Sequence, residues 1–304
     1  MFPTPRFFSL LWISLLFLPA GPAEGQTPPT VALHGELRPR AESRDPGEIF
    51  LISTRTRFSL DVAFEEGFRL FIQPQDVRTW GEETGERDRS ADAVDFHQAF
   101  LEVADLPGAG GMLRAGRQEV AVAESRFLAA PNWGQGGQVF DGVRWIRPLR
   151  GARLDVTYLA IREEASEAHN WDGSFWAAWL SRPLGGYGSL DLLAFRDDNA
   201  TAHTTDQYTI GAVWKGSLRP LALRVQGMRQ LGRREDRDVD AFMIAAEARL
   251  SFLNERGSVA LWYDHLSGDA DPDDDEVGAF STLYGARNRF YGRGDYFTDI
   301  PRDT

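Results

Sequence analysis

Residues 53–64, STRTRFSLDVAF, alternate without interruption. Arg55, Arg57, Ser59, Asp61 and Ala63 share one parity; Thr54, Thr56, Phe58, Leu60, Val62 and Phe64 share the other. An extended chain sends successive side chains to opposite faces, so the stretch reads as a strand with one charged and one apolar face. The same period returns along the chain. Val31, Leu33 and Leu37 oppose His34, Glu36 and Arg38, and Leu154, Val156 and Tyr158 oppose Arg153, Asp155 and Thr157. Leu221, Leu223 and Val225 oppose Arg224 and Gln226; Phe242, Ile244 and Leu250 oppose Glu247 and Arg249; Val259, Leu261 and Tyr263 oppose Ser258 and Asp264.

The connections alternate as well, in length. Short ones rich in Gly, Pro and Asn fall at 65–67, 107–111, 148–151, 182–188, 216–220 and 254–257. Long polar ones fall at 39–48, 82–93, 119–138, 162–173, 196–206, 230–238 and 267–278. This spacing predicts thirteen strands by Leu266 and a fourteenth starting near Phe290. Tight turns at one end, long loops at the other and two unlike faces are the marks of an all-β, antiparallel transmembrane β-barrel of the outer-membrane type. Phe64, Phe68, Trp145, Trp179, Trp214 and Phe252 lie beside the short turns, where an interfacial aromatic girdle belongs. A soluble β-sandwich also alternates, but it gives loop lengths no reason to take turns. In the barrel reading Phe58, Leu60 and Val62 face lipid, and Arg55 and Arg57 face a wet lumen. An arginine turned to lipid at mid-membrane costs about 2–4 kcal/mol, which fixes the register.

Composition sharpens this picture. The chain has 304 residues, a net charge of -12 and no cysteine. Acidic balance disfavours nucleic acid as a partner, and disulfide or thiol chemistry is excluded. Mean hydropathy is -0.35, which excludes a polytopic helical membrane protein. Of 33 basic residues only Lys215 is lysine; codon bias explains this, and so does a preference for guanidinium forks that grip carboxylates. Arg6 precedes an apolar run, Phe7 to Leu18, too short to span a bilayer, and Ala23-Glu24-Gly25 offers small residues for cleavage. The expected organisation is a signal peptide over 1–25 and a barrel over 26–304, with an exported product.

Chemistry beyond a pore finds little support. The five histidines, His34, His97, His169, His203 and His265, never stand at a metal-binding spacing, so neither a metal site nor a cofactor is expected. The acidic run 269–276 lacks the twelve-residue calcium loop with its central glycine and reads as a solvated loop. No G-x-S-x-G elbow accompanies His97 or His265, and GGYG at 185–188 is a turn rather than a phosphate loop.

Five stretches resemble the alginate export family of outer-membrane porins: QDVRTWG at 75–81, HQAFLEV at 97–103, RAGRQEV at 114–120, FDGVRW at 140–145, and the segment 267–301. The resemblance implies an eighteen-stranded outer-membrane barrel with an arginine-lined pore that passes an acidic polysaccharide. On that pattern the barrel is incomplete after Thr304. Carried over by motif, Arg117, Arg144 and Arg78 become pore candidates, with Pro74 a source of phase shift before Arg78. Alternation adds Arg55, Arg57, Arg114, Arg153, Arg224 and Arg249. Arg114 and Arg117 differ in parity, so both face inward only if a bulge intervenes or Arg117 lies beyond the regular strand.

The expected function is an outer-membrane channel for anionic solutes or an acidic polysaccharide. Its partners would be the solute, outer-membrane lipid and periplasmic export machinery. The competing readings are an outer-membrane β-barrel enzyme acting on lipid or glycan, and a soluble periplasmic β-rich binding protein.

Overall fold

A computed structural model describes residues 28–43, 50–80, 94–161, 173–199, 205–252, 256–271, 273–286 and 290. The expected signal peptide and the expected strand beyond Phe290 lie outside these residues. Thirteen strands run in chain order as an antiparallel meander. They are β1 (Thr30–Ser43), β2 (Phe50–Ala63), β3 (Phe68–Trp80), β4 (Asp95–Val103), β5 (Met112–Gln118), β6 (Phe140–Leu149) and β7 (Ala152–Ile161). Then follow β8 (Gly173–Pro183), β9 (Ser189–Asn199), β10 (Thr205–Leu218), β11 (Leu221–Arg234), β12 (Arg237–Phe252) and β13 (Gly257–Leu266). A two-residue β14 (Glu276–Val277) pairs parallel to β12. Among the described residues β1 and β13 do not pair with each other, so the sheet is not closed.

The alternation seen in the sequence becomes two chemically distinct faces. Phe58 is 62% exposed while its neighbour Arg57 is 3% exposed. Leu33, Leu37, Leu101, Trp176, Ile210, Ile244 and Leu261 stand on the same outward side. The inner face is the one on which two irregular segments lie, residues 119–139 between β5 and β6 and residues 267–286 after β13.

These segments change what the inner face must be. Phe127, Leu128 and Phe280 are fully buried against Phe175, Phe195, Met228 and Met243 of β8, β9, β11 and β12. Where a segment covers it, the inner side of β8–β12 therefore mixes buried apolar positions with buried polar ones such as Gln226 and Gln230, and is not uniformly polar as period-two reasoning expects. Trp179 joins this inward layer rather than the outer girdle, while Trp145 and Trp214 stay outside and donate indole N–H groups to the Gly110 and Tyr187 carbonyls at 2.9 Å. The apolar inward positions bury surface that would otherwise meet water, so they pin both segments to the wall. The acidic run is exposed where described except at Asp269, whose carboxylate lies 3.9 Å from Arg237, and Val277 and Phe280 turn inward directly after it.

Two connections depart from expectation. Residues 230–238 contain no long loop: β11 and β12 continue to a turn at Glu235–Asp236, with Glu235 at φ 57°. Their registered pairing extends to Arg234 opposite Arg237. On β3–β4 the register slips, with Gln73 opposite Gln98 but Pro74 opposite Phe96, which leaves His97 unpaired. Pro74 has no N–H to give the ladder, and a bulge absorbs the loss. The bulge lies on β4, so β3 keeps its own phase past Pro74.

Candidate pore lining

Seven of the nine candidate arginines lie on the inner face. Arg55 and Arg57 point inward from β2 and meet the 131–137 limb of the internal segment. Arg55 donates to Glu36 through Nε and to the Asn132 Oδ1 at 3.0 Å. Arg57 donates to the same Oδ1 at 3.1 Å, to Gln75 at 2.6 Å and to the Gly136 carbonyl at 3.3 Å. Arg38 and Arg40, which the sequence reading left off the site, complete the group. Arg38 reaches the Asn132 carbonyl at 2.6 Å, and both arginines reach the Trp133 carbonyl, at 3.0 and 2.7 Å. The Arg40 guanidinium also stacks 4.4 Å from the Trp133 ring centre.

This group differs from the rest of the lining in its charge balance. Among the acceptors of Arg38, Arg55 and Arg57, only Glu36 is a carboxylate; the others are neutral oxygens. Neutral carbonyls satisfy the N–H groups but leave the positive charge uncancelled. Seven other inward arginines each meet an acid. Arg114 donates to Glu102 at 2.6 Å and lies over the Phe100 ring, and Arg69 grips Asp61 through two bonds. Arg144 grips Asp155, which Arg153 also approaches at 3.4 Å. Arg224 and Lys215 meet Glu124, Arg126 meets Asp264, and Arg249 meets Glu247. Arg126 carried no sequence signal because it sits in an irregular segment, and Arg69 was masked by an apolar neighbour of the same parity, Phe71.

Two candidates are corrected. Arg78 keeps the phase of β3 and faces outward, where it pairs with Asp76 at 2.9 Å. Arg117 pairs in register with Ala99 and Asp141, with no bulge in β5 to turn it inward. It therefore stands on the face opposite Arg114 and donates to Asp141 at 3.0 Å and to Asp95 at 2.8 Å. The carboxylates offset part of the roughly 2–4 kcal/mol that a lone lipid-facing arginine costs at mid-membrane.

Charged rings inside a barrel set which ions enter, and a net-positive group lowers the barrier for anions. The four arginines sit toward the long-connection ends of β1 and β2, and His97 stands beneath them, 2.8 Å from Glu119.

Comparison with known proteins agrees with the architecture. Two Pseudomonas aeruginosa porin structures share the fold: OccK2 (OpdF), with TM-score 0.54 and 14% identity over 85% of this chain and 69% of that one, and OccD3 (OpdP), with TM-score 0.50 and 13% identity over 82% and 59%. OccK2 in complex with glucuronate aligns with TM-score 0.53 and 15% identity, covering 85% of this chain and 69% of that one. The chain thus spans about six-tenths of the OccD3 length. No curated protein matches the sequence. The alginate export model matches residues 36–298, nearly the whole described sheet. The chain belongs to the alginate export family, whose β-barrels stand in the bacterial outer membrane.

Proposed function

We propose that this chain forms the wall of an outer-membrane channel that passes anionic solutes, an acidic polysaccharide among them, along an arginine-lined inner face. The observation that carries the reading is the group Arg38, Arg40, Arg55 and Arg57. Among the hydrogen-bond acceptors of Arg38, Arg55 and Arg57 one carboxylate, Glu36, stands against three guanidiniums, two of them buried, so the inner wall beside the 131–137 limb stays positive. A uronate brings one carboxylate per ring, the geometry a guanidinium fork binds best. The OccK2 complex with glucuronate supports a uronate class through shared fold alone. The acid-paired arginines further along the face would give a moving anion exchangeable partners without holding it too tightly.

Full-length protein in planar bilayers, under a potassium chloride gradient, tests this. The expected reversal potential reports anion preference, which falls several-fold in Arg38→Gln/Arg55→Gln/Arg57→Gln. Arg117→Gln, on the outer face, leaves the preference of each conducting unit unchanged. Cation preference in the unaltered protein rejects the reading.

A further inference from the structure

The outer wall carries charge where lipid would tolerate it least. Asp76, Arg78, Asp95, Arg117 and Asp141 follow one another across β3–β6 in alternating sign. Asp141 stands four positions from Trp145 on the same face of β6. A strand tilted by about 40° rises roughly 10 Å over that distance, so the pair lies well above the Trp145 level and inside a hydrocarbon band about 25 Å tall. Here the wall is also shortest. β5 has seven residues, below the roughly 9–11 a crossing strand needs, whereas β1, β2, β10 and β11 have fourteen. Other outward pairs described, Arg196 with Asp198 and Asp206, Arg229 with Asp240 and Arg233 with Asp238, belong to longer strands, β9 to β12.

The same place is hollow. A groove of about 700 Å³ opens between Phe96 and Tyr158, over Ala99, Gly116 and Gly142, with Arg117 and Asp141 at one end and Val143 beside them. We propose that this stretch of wall is an interface with a second copy of this chain. Both signs are present in alternation, so a second copy can set its arginines against the aspartates of the first, and the patch is complementary to itself. Its sum, two arginines against three aspartates, opposes the anionic phosphates of a lipid headgroup. Phe96, Tyr158 and Val143 supply the apolar contact an interface centre uses. The interface goes beyond the channel reading and stands or falls separately from ion preference.

The absence of cysteine makes the test direct. Val143→Cys marks the groove, and Ile210→Cys marks a remote outward site on β10. Each full-length variant is folded into phosphatidylethanolamine–phosphatidylglycerol vesicles, its barrel verified by gel mobility without heating, and then oxidised. The expected result is crosslinked pairs with Val143→Cys, several-fold above Ile210→Cys. Arg117→Glu added to Val143→Cys lowers crosslinking several-fold, and Arg117→Glu/Asp141→Arg restores it. Equal crosslinking at both sites, none at Val143→Cys, no response to Arg117→Glu, or a monomer carrying lipid in the groove each overturns the proposal. The Val143→Cys comparison decides even where a charge variant does not fold.

Discussion

At the scale of single residues, face and partner decide what a side chain does. Gly137 shows how tightly the arginine group is built. It adopts φ +72°, and an added Cβ would stand 2.8 Å from the His97 ring and 2.9 Å from the Arg57 Nη2. Gly137→Ala would strain the backbone by roughly 1 kcal/mol and push the 131–137 limb off Arg57. We expect a higher single-channel conductance, read in planar bilayers. Phe58→Arg tests the other face. It should destabilise the barrel by about 2–4 kcal/mol, measured as a lower guanidinium midpoint in lipid vesicles. Much at this scale was legible in the sequence. The parity of Arg55, Arg57, Arg114, Arg153, Arg224 and Arg249 followed from alternation alone. Arg117 did not, because a motif match says that a residue matters but not which way it points; the unbroken register to Asp141 settles that.

At the scale of elements, strands were readable and what lies on them was not. Thirteen strands ending at Leu266 follow from period two and turn residues, since each is a local property of the chain. The inward folding of 119–139 and 267–286 is not local. It depends on Phe127 and Phe280 finding Phe175, Phe195 and Met243, residues from 37 to 116 positions away in the chain. For the same reason Trp179 reads as a girdle residue in sequence and packs inward in space. Phe127→Ala removes a side chain with no exposed surface and should cost about 3–5 kcal/mol at its site. Because the barrel ladder does not depend on Phe127, the expected loss falls on the internal segment. Faster proteolytic cutting between 119 and 139, with the barrel still resistant, checks this.

At the scale of the whole molecule, one principle orders the structure: apolar side chains outside, charged and plugged surface inside. In an acidic protein, Arg38, Arg40, Arg55 and Arg57 nonetheless gather under one segment on the inner face. The outer wall also carries ion pairs, and at β3–β6 they coincide with a groove. The decisive measurement is a fluorophore scan along β2 in the cysteine-free chain, with single cysteines at positions 52–60 labelled and brominated lipid as quencher. Period-two quenching is expected, strong at 52, 54, 56, 58 and 60 and weak at 53, 55, 57 and 59. Strong quenching at 55 and 57 with none at 58 would contradict the account.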